Sequence, residues 1–145
     1  LSNDIRESFG RCLMAPNFLG RFYELFFASH PEVIERFRHT DMRAQQALLR
    51  NGLSMMLMFE DGKPIAVATL ERLGRTHGPG GMAIPPALYR YWVDSLLQAV
   101  RECDPKADAA LEGRWRASME RGISFMVQQG TAPGAAAGGG RRGQG

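Results

Sequence analysis

The chain has 145 residues and a mass of 16.1 kDa, of which 44% is hydrophobic. That is one domain's worth of chain, with enough apolar material for a core and too much for a disordered polymer. Eighteen Lys and Arg face 15 Asp and Glu for a net charge of +3, but Arg141 and Arg142 lie in a last segment without acids. The rest is therefore close to neutral, without the dense basic runs and interleaved aromatics of a nucleic-acid binder. Cys12 and Cys103 are too few for a disulfide scaffold or a cysteine metal cluster, and they read as free, buried thiols. No apolar run approaches the ~18 residues of a membrane span, and the opening LSNDIRESFG lacks the basic-then-apolar pattern of a signal peptide. A soluble, cytoplasmic, single-domain protein is expected.

Taken in order, the segments read as helices. Ser2 or Asn3 can cap a first helix that lines up Ile5, Phe9, Cys12 and Leu13 on one face. Pro16 is expected to open a second, in which Leu19, Phe22, Tyr23 and Phe26 keep the three-four spacing. Phe18 and Leu25 widen its stripe, which marks a helix central to the packing. His30-Pro31 breaks it, and a short helix, PEVIERF, runs to Phe37. Thr40 or Asp41 caps a long helix with Met42, Gln45, Leu49, Leu53 and Met56 in register. Asp61-Gly62-Lys63-Pro64 is a turn. The next helix puts Ala66, Leu70, Leu73 and His77 on one stripe and stops at Gly78-Pro79-Gly80-Gly81. Pro85 and Pro86 open another, with Tyr89, Trp92, Val93, Leu96 and Val100 inward. After Asp104-Pro105 comes a last helix carrying Leu111, Trp115, Met119, Ile123 and Met126. No alternating pattern with a hairpin turn occurs, so the domain is expected to be all-α. Residues 131–145, TAPGAAAGGGRRGQG, hold six of the 17 glycines and read as a disordered tail after a folded unit of residues 1–130.

Polar residues on apolar faces are where chemistry could sit. His30, at a helix end, and His39, in a short loop, read as solvated. His77 shares a stripe with Leu70 and Leu73, although a lone histidine on an apolar face is more often a packed core residue than a ligand. Tyr23 lies on the inner face of the second helix, and Gln45 shares a face with Met42 and Leu49. Gln46 competes with Gln45 for that place but sits off the stripe, beside Arg50. Buried tyrosine and glutamine both need hydrogen-bond partners. Three such residues on three inner helix faces suggest a cavity that contains something polar.

The run Phe22-Tyr23…His30-Pro31-Glu32-Val33…Phe37 resembles the second and third helices of a globin, closest to bacterial single-domain haemoglobins and the haem domains of flavohaemoglobins. The spacings of 14 residues from Tyr23 to Phe37, 6 from Pro31 to Phe37 and 32 from Gln45 to His77 agree with that group. A glycine-rich loop after His77 and then Tyr89…Leu96-Leu97 continue the likeness, which covers roughly residues 3–128. The resemblance implies a globin fold of six to eight helices around one haem b, with the fourth helix short or absent. It makes His77 the proximal ligand of the haem iron and Phe37 the ring stacked on the porphyrin. Tyr23 and Gln45 become the distal pair, closed by Leu49. Met82, Ile84, Tyr89, Leu96 and Phe125 or Met126 supply apolar wall. The Leu73 carbonyl or the Thr76 hydroxyl would accept from the second ring nitrogen of His77. Arg38, His39, Arg72 and Arg75 are candidates for the propionates, with a merely solvated basic face as the simpler reading.

The implied function is reversible binding of dioxygen and other diatomic gases such as NO and CO. Dioxygen in such a pocket carries partial negative charge, to which Tyr23 and Gln45 can donate. The alternative is a nitric oxide dioxygenase, which would need electrons from a separate reductase. The flavohaemoglobin nucleotide-binding modules have no counterpart here, since Gly78-Pro79-Gly80-Gly81 fits no GxGxxG turn. A further departure is the place of the flavohaemoglobins' late glutamate, where this chain has Gln128, Gln129 and Gly130; a less anionic proximal imidazole follows. A third possibility is a haem-free globin-fold module that binds a partner protein. Monomer and homodimer are both open.

Overall fold

The computed structural model describes residues 3–76 and 85–131, and among these there are seven α-helices, one 3-10 turn and no strand. The helices are α1 (Asn3–Met14), α2 (Phe18–Ser29), α3 (Pro31–Arg36), α4 (Met42–Glu60), α5 (Pro64–Thr76), α6 (Tyr89–Cys103) and α7 (Ala109–Thr131). Residues 37–41 lead from α3 into α4 with no helix between them.

Most boundaries fall where local chemistry puts them. The Asp41 carboxylate accepts from the amides of Arg43 and Ala44, at 3.1 and 3.3 Å, and caps α4. Gly62, with φ +73°, turns the chain between α4 and α5 in a conformation other residues rarely adopt. Two starts differ from expectation. Pro16 does not open α2, which begins at Phe18 behind Asn17; the Ala15 amide reaches back to the Cys12 carbonyl, at 3.0 Å, so Pro16 sits in a turn. Pro85 and Pro86 likewise give a single 3-10 turn, Pro86–Leu88, before α6 begins at Tyr89.

One contiguous core joins all the helices except α3's outer turn, with Phe22, Phe26, Leu49, Leu53, Met56, Leu70, Trp92, Leu96, Trp115 and Met119 fully buried. The periodic residues read from the sequence on α1, α4, α6 and α7 supply most of it. Helix α2 packs most broadly on α6, and α5 on α7. Away from this apolar mass, Asp104 is a carboxylate buried to 1% exposure at the corner between α6 and α7. Ser8 donates to it at 2.6 Å, Arg11 binds it through two nitrogens at 2.5 and 3.0 Å, and the Lys106 amide donates at 2.9 Å. Trp115 Nε1 closes the cluster onto Ser8 Oγ at 2.9 Å. Burial works to raise the pKa of Asp104, but these donors outweigh it and hold it at about 2.

Both cysteines are free thiols. Cys12 is buried as expected, and burial pushes its thiol up to about 12, so it stays protonated and unreactive. Cys103 is only half-buried. No helix among the described residues is long and apolar enough to cross a membrane.

Candidate functional site

Helices α2, α3 and α4 bring together the residues singled out on the distal side. Tyr23 projects from the buried face of α2 with 3% of its surface exposed, and Gln45 from the first turn of α4 with 8%. Gln45 Nε2 donates to the Tyr23 hydroxyl oxygen at 3.2 Å. Twenty-two residues apart in sequence, the two side chains meet because α3 and the 37–41 corner fold α4 back across α2. Gln46 is half-exposed and Gln45 is the buried one of the two.

Burial raises the Tyr23 phenol to about 12, and the hydrogen bond from Gln45 offsets only part of that. The group therefore keeps its proton throughout the neutral range. Because its oxygen accepts from Gln45, its hydrogen is left to donate elsewhere. The rings packed against Tyr23 among the described residues are phenylalanines. Phe37, the residue that ends α3, lies edge-on to Tyr23 with ring centroids 5.9 Å apart. Phe27 packs on both, 5.7 Å from each. Leu49 is wholly buried one turn after Gln45. Phe27 was not singled out from the sequence, although its place four residues after Tyr23 on the same helix face was the available signal.

Of the residues expected around the proximal ligand and the apolar wall, only some are among the described residues. Leu73 is half-buried on α5, and Thr76 is the last residue of that helix. Tyr89 is half-buried at the start of α6, and Leu96 is fully buried two turns later. Phe125 is half-buried on α7 against Phe59, with centroids 4.9 Å apart, and Met126 is buried beside it. His77, Met82 and Ile84 lie outside the described residues. Arg38, Arg72 and Arg75 are exposed, with Arg38 bonded to Glu35 at 2.5 Å. His39 is exposed as expected. His30 is not simply solvated, because its Nδ1 accepts from the Glu32 amide at 3.1 Å and caps α3 while its ring packs 5.1 Å from Tyr91.

The fold has a solved counterpart. A crystal structure from Pseudomonas aeruginosa, of a protein described as structurally highly homologous to a human hemoglobin, matches with a TM-score of 0.82 and 36% sequence identity. The match covers 90% of this chain and 98% of that one. The chain belongs to the globin family. Among curated proteins, this globin is 28% identical over 93 residues to flavohemoproteins of Bacillus cereus and Bacillus anthracis. That stretch is 63% of the globin but 23% of each flavohemoprotein, so the chain spans about a quarter of the length of the curated relatives it matches. No family model matches the chain. The all-α globin fold expected from the sequence is thus the fold observed. The helix between α3 and α4, expected to be short or missing, is missing.

Proposed function

We propose that this globin binds haem b and uses it to hold dioxygen reversibly, together with other diatomic gases. The observation that carries the reading is the Tyr23–Gln45 hydrogen bond, a neutral buried polar pair set beside the rings of Phe27 and Phe37. Core polar residues cost free energy unless they are satisfied, and they mark places where something polar is held. A pair made of a phenol and an amide, with no carboxylate, suits a small ligand that gains partial negative charge and does not ionise the pocket.

The haem iron would supply a coordination position for the gas; the chain supplies the rest. In this reading His77, the residue that follows α5 in sequence, would ligate the iron, and Phe37 would pack against the macrocycle. Tyr23 donates its hydroxyl hydrogen toward the ligand position. Gln45, by donating to the Tyr23 oxygen, fixes the direction of that hydrogen and makes the phenol a stronger donor through polarisation. Leu49, Leu73, Tyr89 and Leu96 would help to exclude water. Thr76 or the Leu73 carbonyl accepts from the second imidazole nitrogen of His77. The likeness to a protein described as homologous to a human hemoglobin and to the flavohemoproteins supports the same assignment.

The test is the absorption spectrum of the purified protein, first reduced and then exposed to oxygen and to CO. A Soret band that shifts with each gas and vanishes in His77→Leu is expected. A colourless protein would instead favour a haem-free module that binds a partner. An unchanged spectrum in His77→Leu would move the ligand elsewhere, with His39 the next residue to test.

A further inference from the structure

Gly74 on α5 lies against the backbone of α7. A Cβ atom placed on Gly74 would stand 2.3 Å from the backbone carbonyl oxygen of Met126, 3.0 Å from its carbonyl carbon and 2.9 Å from Gln129 Cβ. A carbon normally comes no closer than about 3.3 Å to a carbonyl oxygen. The obstruction is the rail of a helix rather than the flexible end of a side chain, so it cannot swing aside. Other glycines differ. At Gly122 on α7 the added carbon would meet the flexible Met56 side chain, nearest at its terminal methyl, 2.8 Å away, and at Gly113 it would meet nothing within 4 Å. Gly74 is buried, and its helix α5 packs broadly on α7.

We propose that Gly74 is a positioning residue for haem ligation: its missing side chain lets α5 seat directly on the α7 backbone, and that seating fixes the point from which the chain departs toward His77. The inference rests on the haem reading above. Gly74 precedes Thr76, the last residue of α5, by two positions and His77 by three, so little chain separates the contact from the ligand. An alanine at 74 requires the helices to part locally by about 1 Å to restore an ordinary carbon–oxygen contact. A displacement of that size is large for a group that must meet a metal at bond distance. Residues that orient a metal ligand from outside its coordination sphere typically change metal affinity by about 10–100-fold when altered.

The experiment compares full-length haem-loaded wild type with Gly74→Ala, Gly113→Ala and His77→Leu. The readouts are the iron–imidazole stretching band of the reduced protein in resonance Raman and the rate of haem transfer to an excess of a haem-scavenging apoprotein. Gly74→Ala is expected to shift or broaden the band and to release haem about 10–100-fold faster, while Gly113→Ala, the same substitution in open space, does neither. Where Gly74→Ala alone does not fold, Gly74→Ala/Gln129→Gly removes one of the two contacts and is expected to show a smaller shift of the same kind. A folded variant of either type whose band and haem release match wild type overturns the inference while leaving the haem reading intact. A band that survives in His77→Leu overturns the ligand assignment, and the role of Gly74 falls with it.

Discussion

Tyr23→Phe removes a single oxygen from the buried Tyr23–Gln45 pair and leaves the ring, its contacts with Phe27 and Phe37 and the helix beneath it in place. The oxygen lies 3.2 Å from Gln45 Nε2, in a residue only 3% exposed. With its acidity suppressed to a pKa of about 12, the phenol is a donor at any physiological pH, and phenylalanine donates nothing. A hydrogen bond between a neutral donor and a partly charged acceptor in such surroundings is worth about 1–3 kcal/mol, or roughly 5- to 150-fold in the rate at which oxygen leaves. The buried setting and the supporting bond from Gln45 place the effect toward the upper half of that range. Stopped-flow displacement of oxygen by excess CO measures the rate directly. Carbon monoxide, which gains little negative charge, serves as the internal control and should dissociate with less than a few-fold change. Gln45→Leu is expected to speed oxygen release by a smaller factor, because the phenol remains but loses the group that orients it. Oxygen release at the wild-type rate in both variants, with CO kinetics also unmoved, refutes the donor pair.

Other outcomes follow from the same geometry. Gln46→Leu, at the half-exposed neighbour, should leave oxygen release within about two-fold of wild type, a change below 0.5 kcal/mol as is usual for surface positions; an effect as large as that of Gln45→Leu would reverse the assignment of the two glutamines. Asp104 contributes stability that is fully present above its ordinary pKa of 3.8 and is lost as the pH falls through about 2; it is worth roughly 2 kcal/mol at neutral pH. Asp104→Asn should therefore lower the urea midpoint at pH 7 and flatten the loss of stability below pH 4, and identical acid titrations for the two proteins would dismiss the carboxylate as a stabiliser. With NO and an added flavin reductase, the oxygen-loaded protein is expected to consume about one equivalent of NO and stop; sustained turnover to nitrate would favour the dioxygenase alternative.

Helices were legible in the sequence where apolar spacing and capping agreed. On α4, Asp41, one of the two caps on offer beside Thr40, is the cap found, and of the stripe Met42, Gln45, Leu49, Leu53 and Met56 the structure buries the last four and leaves Met42 half-buried. The meeting of Tyr23 with Gln45 was legible only as a shared need for partners on inner faces; their contact depends on how the corner at 37–41 folds α4 across α2. Pro16 misled because a proline that suits a helix's first turn suits a tight turn equally well. Gly74 gave no signal, because a lone glycine in a helical pattern first reads as a weak propensity; only the proximity of the Met126 carbonyl gives it a purpose. Asp104 was read as punctuation before Pro105, since its partners Ser8 and Arg11 lie 96 and 93 residues away.

Those separations have a kinetic meaning. Ser8 on the first helix, Asp104 at the α6–α7 corner and Trp115 on the last helix form one hydrogen-bonded cluster. During synthesis α1 emerges early, but Ser8 and Arg11 have no permanent mate until Asp104 has left the ribosome, and the cluster closes only with Trp115 on α7. At the usual pace of about 5–20 residues per second, the intervening hundred-odd residues take on the order of 5–20 s. Through that interval Phe9, Cys12 and the unpaired Ser8 belong to an unfinished globule. The last helix both completes the core and releases the first from waiting.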